Sequence, residues 1–291
     1  MKPQIFLLIA AVVLAGCIGQ PGGGGTGGTA GLVITGFSPD STIVGGFAGS
    51  GNAGTEVTFI LEAKNVGERK AKSVQAKLLG VSADWGTTHS NYGNMEPSEL
   101  FPADPQTGGE GQTATMTFAS TSPKSTTTDI VYDIGVRVKY TYDTVGDGTF
   151  KVATPEYLRS ITQAGGGQPA GFGISEFKST GGPLVVTSNL RVPTVPKGTK
   201  DVQIQFQIQN TGGGRAFSGS DEANNEIVIK EGGDCSNKKV KLAGGKSATV
   251  FCKFTTGAVD TFVEKAFSLT IDYNYFIDSV TQVTVLKKPV E

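Results

Sequence analysis

Apolar and polar residues alternate with a period of two in two long stretches of the chain. In the first stretch the apolar positions are Val57, Phe59, Leu61 and Ala63. In the second they are Val202, Ile204, Phe206 and Ile208, separated by Gln203, Gln205, Gln207 and Gln209. Successive side chains of a strand point to opposite faces, so this pattern predicts strands of half-buried antiparallel sheets.

The two stretches belong to an internal duplication. Each ends in Asn-x-Gly, at Asn65 and Asn210, where glycine is expected to take a positive φ and turn the chain. Two later landmarks repeat in the same order: the segment 111–115 answers 245–249, and the strand 136–142 answers 269–275. Three landmarks in one order are more than chance alternation gives. We therefore interpret the chain as two copies of one β-module.

The duplication predicts an all-β fold, with two tandem immunoglobulin-like antiparallel β-sandwiches over residues 31–163 and 171–291, joined by a linker at 164–170. We call these the first and second modules. Residues 143–148 are interpreted as a hairpin turn rather than a calcium loop, because they offer too few oxygen ligands. The segment 154–158 suits either a turn of helix or the end of a strand.

The N-terminus carries a separate signal. Lys2 precedes an apolar stretch, Ile5 to Leu14, which is too short to cross a bilayer. The sequence Leu14-Ala15-Gly16-Cys17 follows and resembles the lipobox of a lipoprotein signal peptide. This resemblance implies removal of residues 1–16 and lipid on the thiol of Cys17. Residues 17–30 then form the lipidated cysteine and a flexible glycine-rich tether. The expected location is outside the cytoplasm, anchored to the outer face of the cell membrane.

Two further cysteines, Cys235 and Cys252, remain once Cys17 is assigned to the lipid. A protein outside the cytoplasm keeps disulfides, so we predict that this pair is bonded, which stabilises the fold by about 3 kcal/mol. Two reduced thiols are the alternative. A metal site is less favoured, because no histidine lies near either cysteine in the sequence.

Both modules share a set of structural landmarks: the alternating strand, Asn-x-Gly, an alanine a few residues on (Ala71 and Ala216), a Gly-x-x-Ala-Thr strand and a final Tyr-x-Tyr strand. In this respect the chain resembles the cell-adhesion-related immunoglobulin-like domains of archaeal and bacterial surface proteins. The resemblance implies β-sandwiches outside the cell and carries no catalytic residues. The cysteine pair departs from the antibody pattern, since no core tryptophan lies between the two cysteines.

Charge and composition argue against several activities. The formal net charge is -1, so a nucleic-acid partner has no electrostatic support. The single histidine, His89, leaves no paired-histidine zinc site, and no Gly-x-Ser-x-Gly nucleophile elbow occurs. A carboxylate-only mechanism stays open, but spacing singles out no pair. We expect a protein that is not an enzyme and needs no cofactor or metal.

The segment 84–105 is the candidate binding loop. It carries Trp85, His89, Tyr92 and Phe101, and the second module has no such segment at the matching place. A long aromatic loop either folds back over the end of the sandwich or contacts a partner. The expected partners are the membrane, through Cys17, and an unknown surface protein or glycan. The alternatives are a structural subunit of a surface layer or filament, and a carbohydrate-binding lipoprotein that uses Trp85 and Tyr92 as its platform.

Overall fold

The computed structural model describes residues 30–45, 54–81, 85–86, 91–104, 106–123, 127–166 and 171–287. The predicted signal peptide, Cys17, the tether up to residue 29, His89 and residues 167–170 of the predicted linker lie outside the described residues.

Strands make up 61% of the chain and helix 4%, which confirms the all-β class. The strands of the first module are β1 (Leu32–Pro39), β2 (Ile43–Gly45), β3 (Glu56–Asn65), β4 (Lys72–Leu79), β5 (Gly93–Asn94), β6 (Thr113–Thr121) and β7 (Ile130–Ala153). Those of the second are β8 (Gly173–Ser179), β9 (Leu184–Asn189), β10 (Asp201–Asn210), β11 (Arg215–Phe217), β12 (Glu226–Glu231), β13 (Asp234–Cys235), β14 (Lys239–Lys241), β15 (Ser247–Thr255) and β16 (Phe262–Leu286).

The strands form three sheets. One has three strands in the order β1-β3-β6, and one has four in the order β13-β15-β10-β9. The third is a nine-stranded sheet built on the path β14-β12-β16-β7-β4-β5, with β2 and β11 added to β16 and β8 added to β7. The smaller sheets pack on the large one: Phe206 of β10 contacts Phe267 of β16, with ring centroids 5.9 Å apart. The predicted apolar positions of β3 and β10 are all buried in this core.

The centre of the large sheet is a pair of very long strands. β7 has 24 residues and β16 has 25, and they pair antiparallel without a register break from Ile130↔Val285 to Ala153↔Phe262. Each strand therefore runs through both modules. β8 of the second module pairs with the end of β7, and β2 of the first pairs with the end of β16. The modules exchange strand ends and share one sheet, a feature that the sequence pattern did not predict.

This exchange has two-fold pseudosymmetry. The duplication matches Tyr140 with Tyr273 and Tyr142 with Tyr275, an offset of 133 (273 − 140). In the sheet, Tyr142 pairs with Tyr273 and Tyr140 with Tyr275, so each pair maps onto the other. The axis passes through the pair Thr141↔Asn274, whose side chains are hydrogen-bonded at 2.9 Å. The two copies meet as the subunits of an isologous dimer do.

The predicted hairpin at residues 143–148 is wrong, because this segment lies in the middle of β7. Its glycines have another purpose. The ring of Phe177, on β8, lies over Gly146 and Gly148, and a Cβ on Gly146 would clash with it. A Cβ on Gly148 would lie 3.0 Å from the same ring. The glycines make room for packing across the exchanged strand rather than for a reversal of the chain.

The segment after β7 is helical, which settles the alternative that the sequence left open. Helix α1 spans Pro155–Ile161, and Thr154 caps it by accepting a hydrogen bond from the Tyr157 N–H at 3.3 Å. Proline in the first turn has the backbone angle that a helix start requires. A π-helical turn, Thr162–Gly166, follows and covers the start of the predicted linker.

Candidate interaction surface

The asparagine of each Asn-x-Gly motif hydrogen-bonds to the backbone of neighbouring loops. Asn65 is fully buried, and its Nδ2 donates to the carbonyls of Arg69 and Leu100 at 2.9 and 2.8 Å. Its Oδ1 accepts from the Gly67 N–H at 3.0 Å. Asn65 thereby anchors the end of the candidate loop at Leu100.

Asn210 repeats the two Nδ2 bonds in the second module, but its Oδ1 accepts from the Tyr275 hydroxyl, at 2.8 Å, instead of from a glycine N–H. Its Nδ2 donates to the carbonyls of Gly214 and Gly245 at 3.1 and 3.0 Å. The glycines of the motif, Gly67 and Gly212, were expected to take a positive φ, but neither is among the glycines with positive φ. They are needed because a Cβ at either position would clash with a tyrosine hydroxyl, that of Tyr142 or Tyr275.

Part of the candidate loop packs into the core. Trp85 is only 3% exposed, and its ring meets the ring of Tyr132 edge-on at 5.6 Å. Met95 and Leu100 are fully buried. Burying these side chains removes a large apolar area from water, which stabilises this end of the sandwich. Trp85 is therefore inaccessible to a partner in this conformation.

The other described aromatic residues of the loop remain at the surface, in two places. Phe101 is half exposed, with the Nζ of Lys70 4.1 Å from its ring centroid. Tyr92 lies on the outer face of the shared sheet, between Lys77 and Lys139, whose Nζ atoms are 4.4 and 4.0 Å from its ring centroid. The structure thus does not bring the predicted loop residues together, and His89 lies outside the described residues.

Tyr92 joins a network that links the two modules. Its hydroxyl donates to Glu222, which lies between β11 and β12 of the second module, at 2.5 Å. The other oxygen of Glu222 accepts from Nη1 of Arg137 at 2.6 Å. Arg137 also makes a bidentate pair with Asp278, with both distances 2.8 Å. Its guanidinium group lies 3.7 Å from the centroid of the Phe276 ring. Bidentate pairs of this kind fix both distance and orientation.

The electrostatics keep the network in one protonation state. Burial and the hydrogen bond to Glu222 raise the pKa of Tyr92, so its hydroxyl stays a donor. Burial tends to raise the pKa of Glu222, but hydrogen bonds from Tyr92 and Arg137 outweigh it and leave that pKa below its ordinary value. Hydrogen bonding to Asp278 raises the pKa of Arg137 despite burial. The network therefore holds a carboxylate, a phenol and a guanidinium ion at neutral pH.

An open cleft of about 400 Å³ adjoins this network, which we call the central cleft; it is lined by Arg137, Gly213, Gly214, Arg215, Glu222, Ala223, Phe276 and Asp278. Arg215 is exposed and forms no ion pair with any described residue. A free guanidinium beside an aromatic ring suits a carboxylate or another planar polar group of a partner. Within the described ranges, no three acidic, histidine or cysteine side chains are grouped so as to hold a metal ion.

The predicted disulfide is present. Cys235 and Cys252 are bonded and lie directly opposite each other on β13 and β15. Cys252 is fully buried and Cys235 partly buried. The bond attaches the two-residue edge strand β13 to the four-stranded sheet, in the second module only.

The chain was compared with models of protein families and with curated proteins. No model of a protein family matches the chain, and no curated protein matches it significantly. In the described part of the chain, no helix combines the length and the apolar character that a membrane span requires.

Sequence reasoning missed most of the network. Arg137 lies between Val136 and Val138, so the alternation places it on the polar face of its strand, but nothing in the sequence points to its partners. Glu222 is 85 positions away and Asp278 is 141 positions away. The signal that was available is the second-module segment 218–225, which has no counterpart in the first module and carries Glu222.

Proposed function

We propose that this protein is a non-catalytic lipoprotein of the cell surface. The lipid on Cys17 holds it at the outer face of the membrane, the glycine-rich tether separates it from the bilayer, and two immunoglobulin-like modules present an interaction surface. The partner is a surface protein that contacts the central cleft.

One observation carries this proposal: a loop from each module, through Tyr92 and Glu222, is fixed over the shared sheet beside an open cleft. Because both loops are held by charge-assisted hydrogen bonds, the surface is formed before a partner arrives. Preformed surfaces of this kind lose little conformational entropy on binding. The free guanidinium group of Arg215 gives the surface a point of attachment for an acidic group.

A glycan partner is the second candidate, and it is favoured by a different face. Gln205 on β10 lies directly opposite Phe251 on β15, which is 38% exposed, and Gln207 lies opposite Thr249. Amides, a hydroxyl and an aromatic ring on one flat face suit sugar hydroxyls and sugar C–H groups. Trp85 does not serve as a platform, because it is buried. Glycan-array binding that is lost in Phe251→Ala would favour this candidate over the protein partner.

Membrane fractionation tests the anchor. Cys17→Ser should release the protein from membranes or block its processing, whereas the neighbouring change Ile18→Val should leave it anchored. Membrane association that is unchanged in Cys17→Ser would contradict the lipid anchor.

Crosslinking of intact cells tests the cleft. We expect Arg215→Glu to abolish crosslinks to the surface partner, and Arg191→Glu, a control at another exposed arginine, to keep them. Equal crosslinking by both variants would show that the central cleft is not the contact surface.

A further inference from the structure

In the second module, the last residue of β8, Ser179, and the next residue, Thr180, close the gap between β7 and β9. The N–H of Thr180 donates to the Val145 carbonyl at 2.8 Å, and the Val145 N–H donates to Oγ1 of Thr180 at 3.0 Å. The Oγ of Ser179 accepts from the Val186 N–H at 3.3 Å. The chain thus uses backbone groups on two different strands, β7 and β9, to hold this segment.

The duplication identifies the matching positions in the first module. Asp278 corresponds to Val145 by the offset of 133 that relates the tyrosines. Ile34 corresponds to Val186 by an offset of 152, because Leu32 pairs with Asn65 as Leu184 pairs with Asn210. No described segment occupies this gap: apart from β7, no described strand pairs with β16 between Ile277 and Val283.

A groove of about 250 Å³ lies at this position, between β1 and β16, and we call it the strand groove. Its walls include Leu32, Ile34, Tyr140, Gly213, Tyr275 and Ile277. Asp278 and Gly213 line both the strand groove and the central cleft, so the two adjoin each other. The walls combine apolar side chains with the polar groups of Asp278 and Ser279.

The edge of β16 in this groove can accept another strand. The Thr284 N–H donates outward to the Thr42 carbonyl at 2.8 Å, and backbone groups alternate in direction along a strand. The N–H groups of Asp278 and Val280 therefore also point away from β7. The side chain of Val280 is 64% exposed. Natural sheets rarely leave such an edge uncovered, because it pairs readily with other chains.

We propose that the strand groove binds an extended segment of a partner protein, which pairs antiparallel with the edge of β16 as β8 pairs with β7. The partner segment has apolar residues at the positions of Ile174 and Phe177 and two consecutive hydroxyl residues at the positions of Ser179 and Thr180. The backbone N–H at the position of Thr180 donates to the carbonyl of Asp278. The hydroxyl group at the position of Ser179 accepts from the N–H of Ile34. This is recognition by strand addition, in which main-chain bonds supply affinity and side-chain pockets supply specificity.

The chain's own tether lacks this chemistry. With the offset of 152, Gly25, Gly27 and Gly28 correspond to Phe177, Ser179 and Thr180. Glycine supplies neither the hydroxyl groups nor an apolar side chain, and fixing it in a strand costs the most backbone entropy. A segment from another protein that carries these groups fits the groove better than the tether does. This inference depends neither on the lipid anchor nor on Arg215.

The second module supplies the probe. A fluorescent peptide with the sequence of residues 173–183 should bind the full chain, purified in detergent, as read by fluorescence anisotropy. A control peptide with Thr180→Pro lacks the donor N–H and should bind at least 10-fold more weakly. Val280→Pro, which removes an edge N–H but no bond to β7, should weaken peptide binding to the same extent, whereas Val280→Thr should not.

Amide hydrogen exchange on the unmodified chain gives a result that does not depend on a variant folding. We expect the amides of Ile34, Asp278 and Val280 to exchange rapidly in the free protein and slowly with the peptide bound. Slow exchange in the free monomer would mean that the tether fills the groove, and slow exchange that appears only with dimerisation would mean that a second copy does. Either outcome, or equal binding of the two peptides, would overturn the proposal.

Discussion

The two modules agree where they meet and differ at their edges. The Nδ2 groups of Asn65 and Asn210 make matching pairs of bonds to backbone carbonyls. Tyr142 and Tyr275 both accept a backbone N–H, from Arg69 and Gly214 respectively. These groups lie around the pseudo-two-fold axis. The first module adds the loop 84–105, and the second adds β8, the disulfide and the segment that carries Glu222. In this protein the shared sheet keeps the duplicated arrangement, and the differences supply its surfaces.

The strand exchange explains why the two modules are similar around the pseudo-two-fold axis. β7 and β16 each complete the sheet of the other module, so a change near the axis affects both modules at once. A change at an edge affects only one. Three experiments use this contrast, and the first is expected to have the largest effect.

Substituting Asn65 and Asn210 tests how similar their contributions to stability are in the two modules. Asn65→Ala removes three hydrogen bonds at a fully buried side chain, so we expect the free energy of unfolding to fall by about 4 kcal/mol. Asn210 is only partly buried, and water replaces some of its bonds, so Asn210→Ala should cost about 2 kcal/mol. Denaturant titration measures both, with the exposed Asn189→Ala as a control near zero. Equal losses at the two asparagines would contradict this difference in burial.

The disulfide tests whether the shared sheet couples the modules. The double variant Cys235→Ala, Cys252→Ala should lose about 3 kcal/mol, because its unfolded chain is no longer constrained. Since β7 and β16 run through both modules, calorimetry should still show a single transition at a lower temperature. Melting of the second module alone, with the first intact, would show that the exchange does not couple them. Adding reductant to the double variant should change nothing.

Substituting Tyr142 or Tyr275 should have the smallest effect on the free energy of unfolding, and that effect should depend on pH. Tyr142→Phe and Tyr275→Phe each lose one hydroxyl bonded to the backbone, which should cost about 1 kcal/mol. Burial raises the pKa of both tyrosines to about 12, whereas the unfolded chain titrates near 10. Their contribution is therefore complete below about pH 10 and is lost as the pH rises towards 12.

Denaturant unfolding between about pH 9 and pH 12, with tyrosinate absorbance, checks this. The wild type should lose stability more steeply over that interval than either phenylalanine variant. Parallel curves for the three proteins would contradict the assignment to Tyr142 and Tyr275.

Local chemistry explains which features could be predicted. Val57 to Ala63 and Val202 to Ile208 specify buried strands because a strand alternates its side chains between two faces whatever it packs against. The Cys235–Cys252 disulfide follows from the number of cysteines and from the expected location outside the cytoplasm. The glycines at 146 and 148 misled the interpretation, since glycine marks a turn and a close packing contact equally well.

By itself, the sequence determined the all-β class and the Cys235–Cys252 bond, because both depend on residue type and spacing along the chain. Only the tertiary structure decided that the predicted hairpin would open into a strand shared by both modules, and that Arg137 would meet Glu222 and Asp278. Those outcomes depend on pairing between residues about a hundred positions apart.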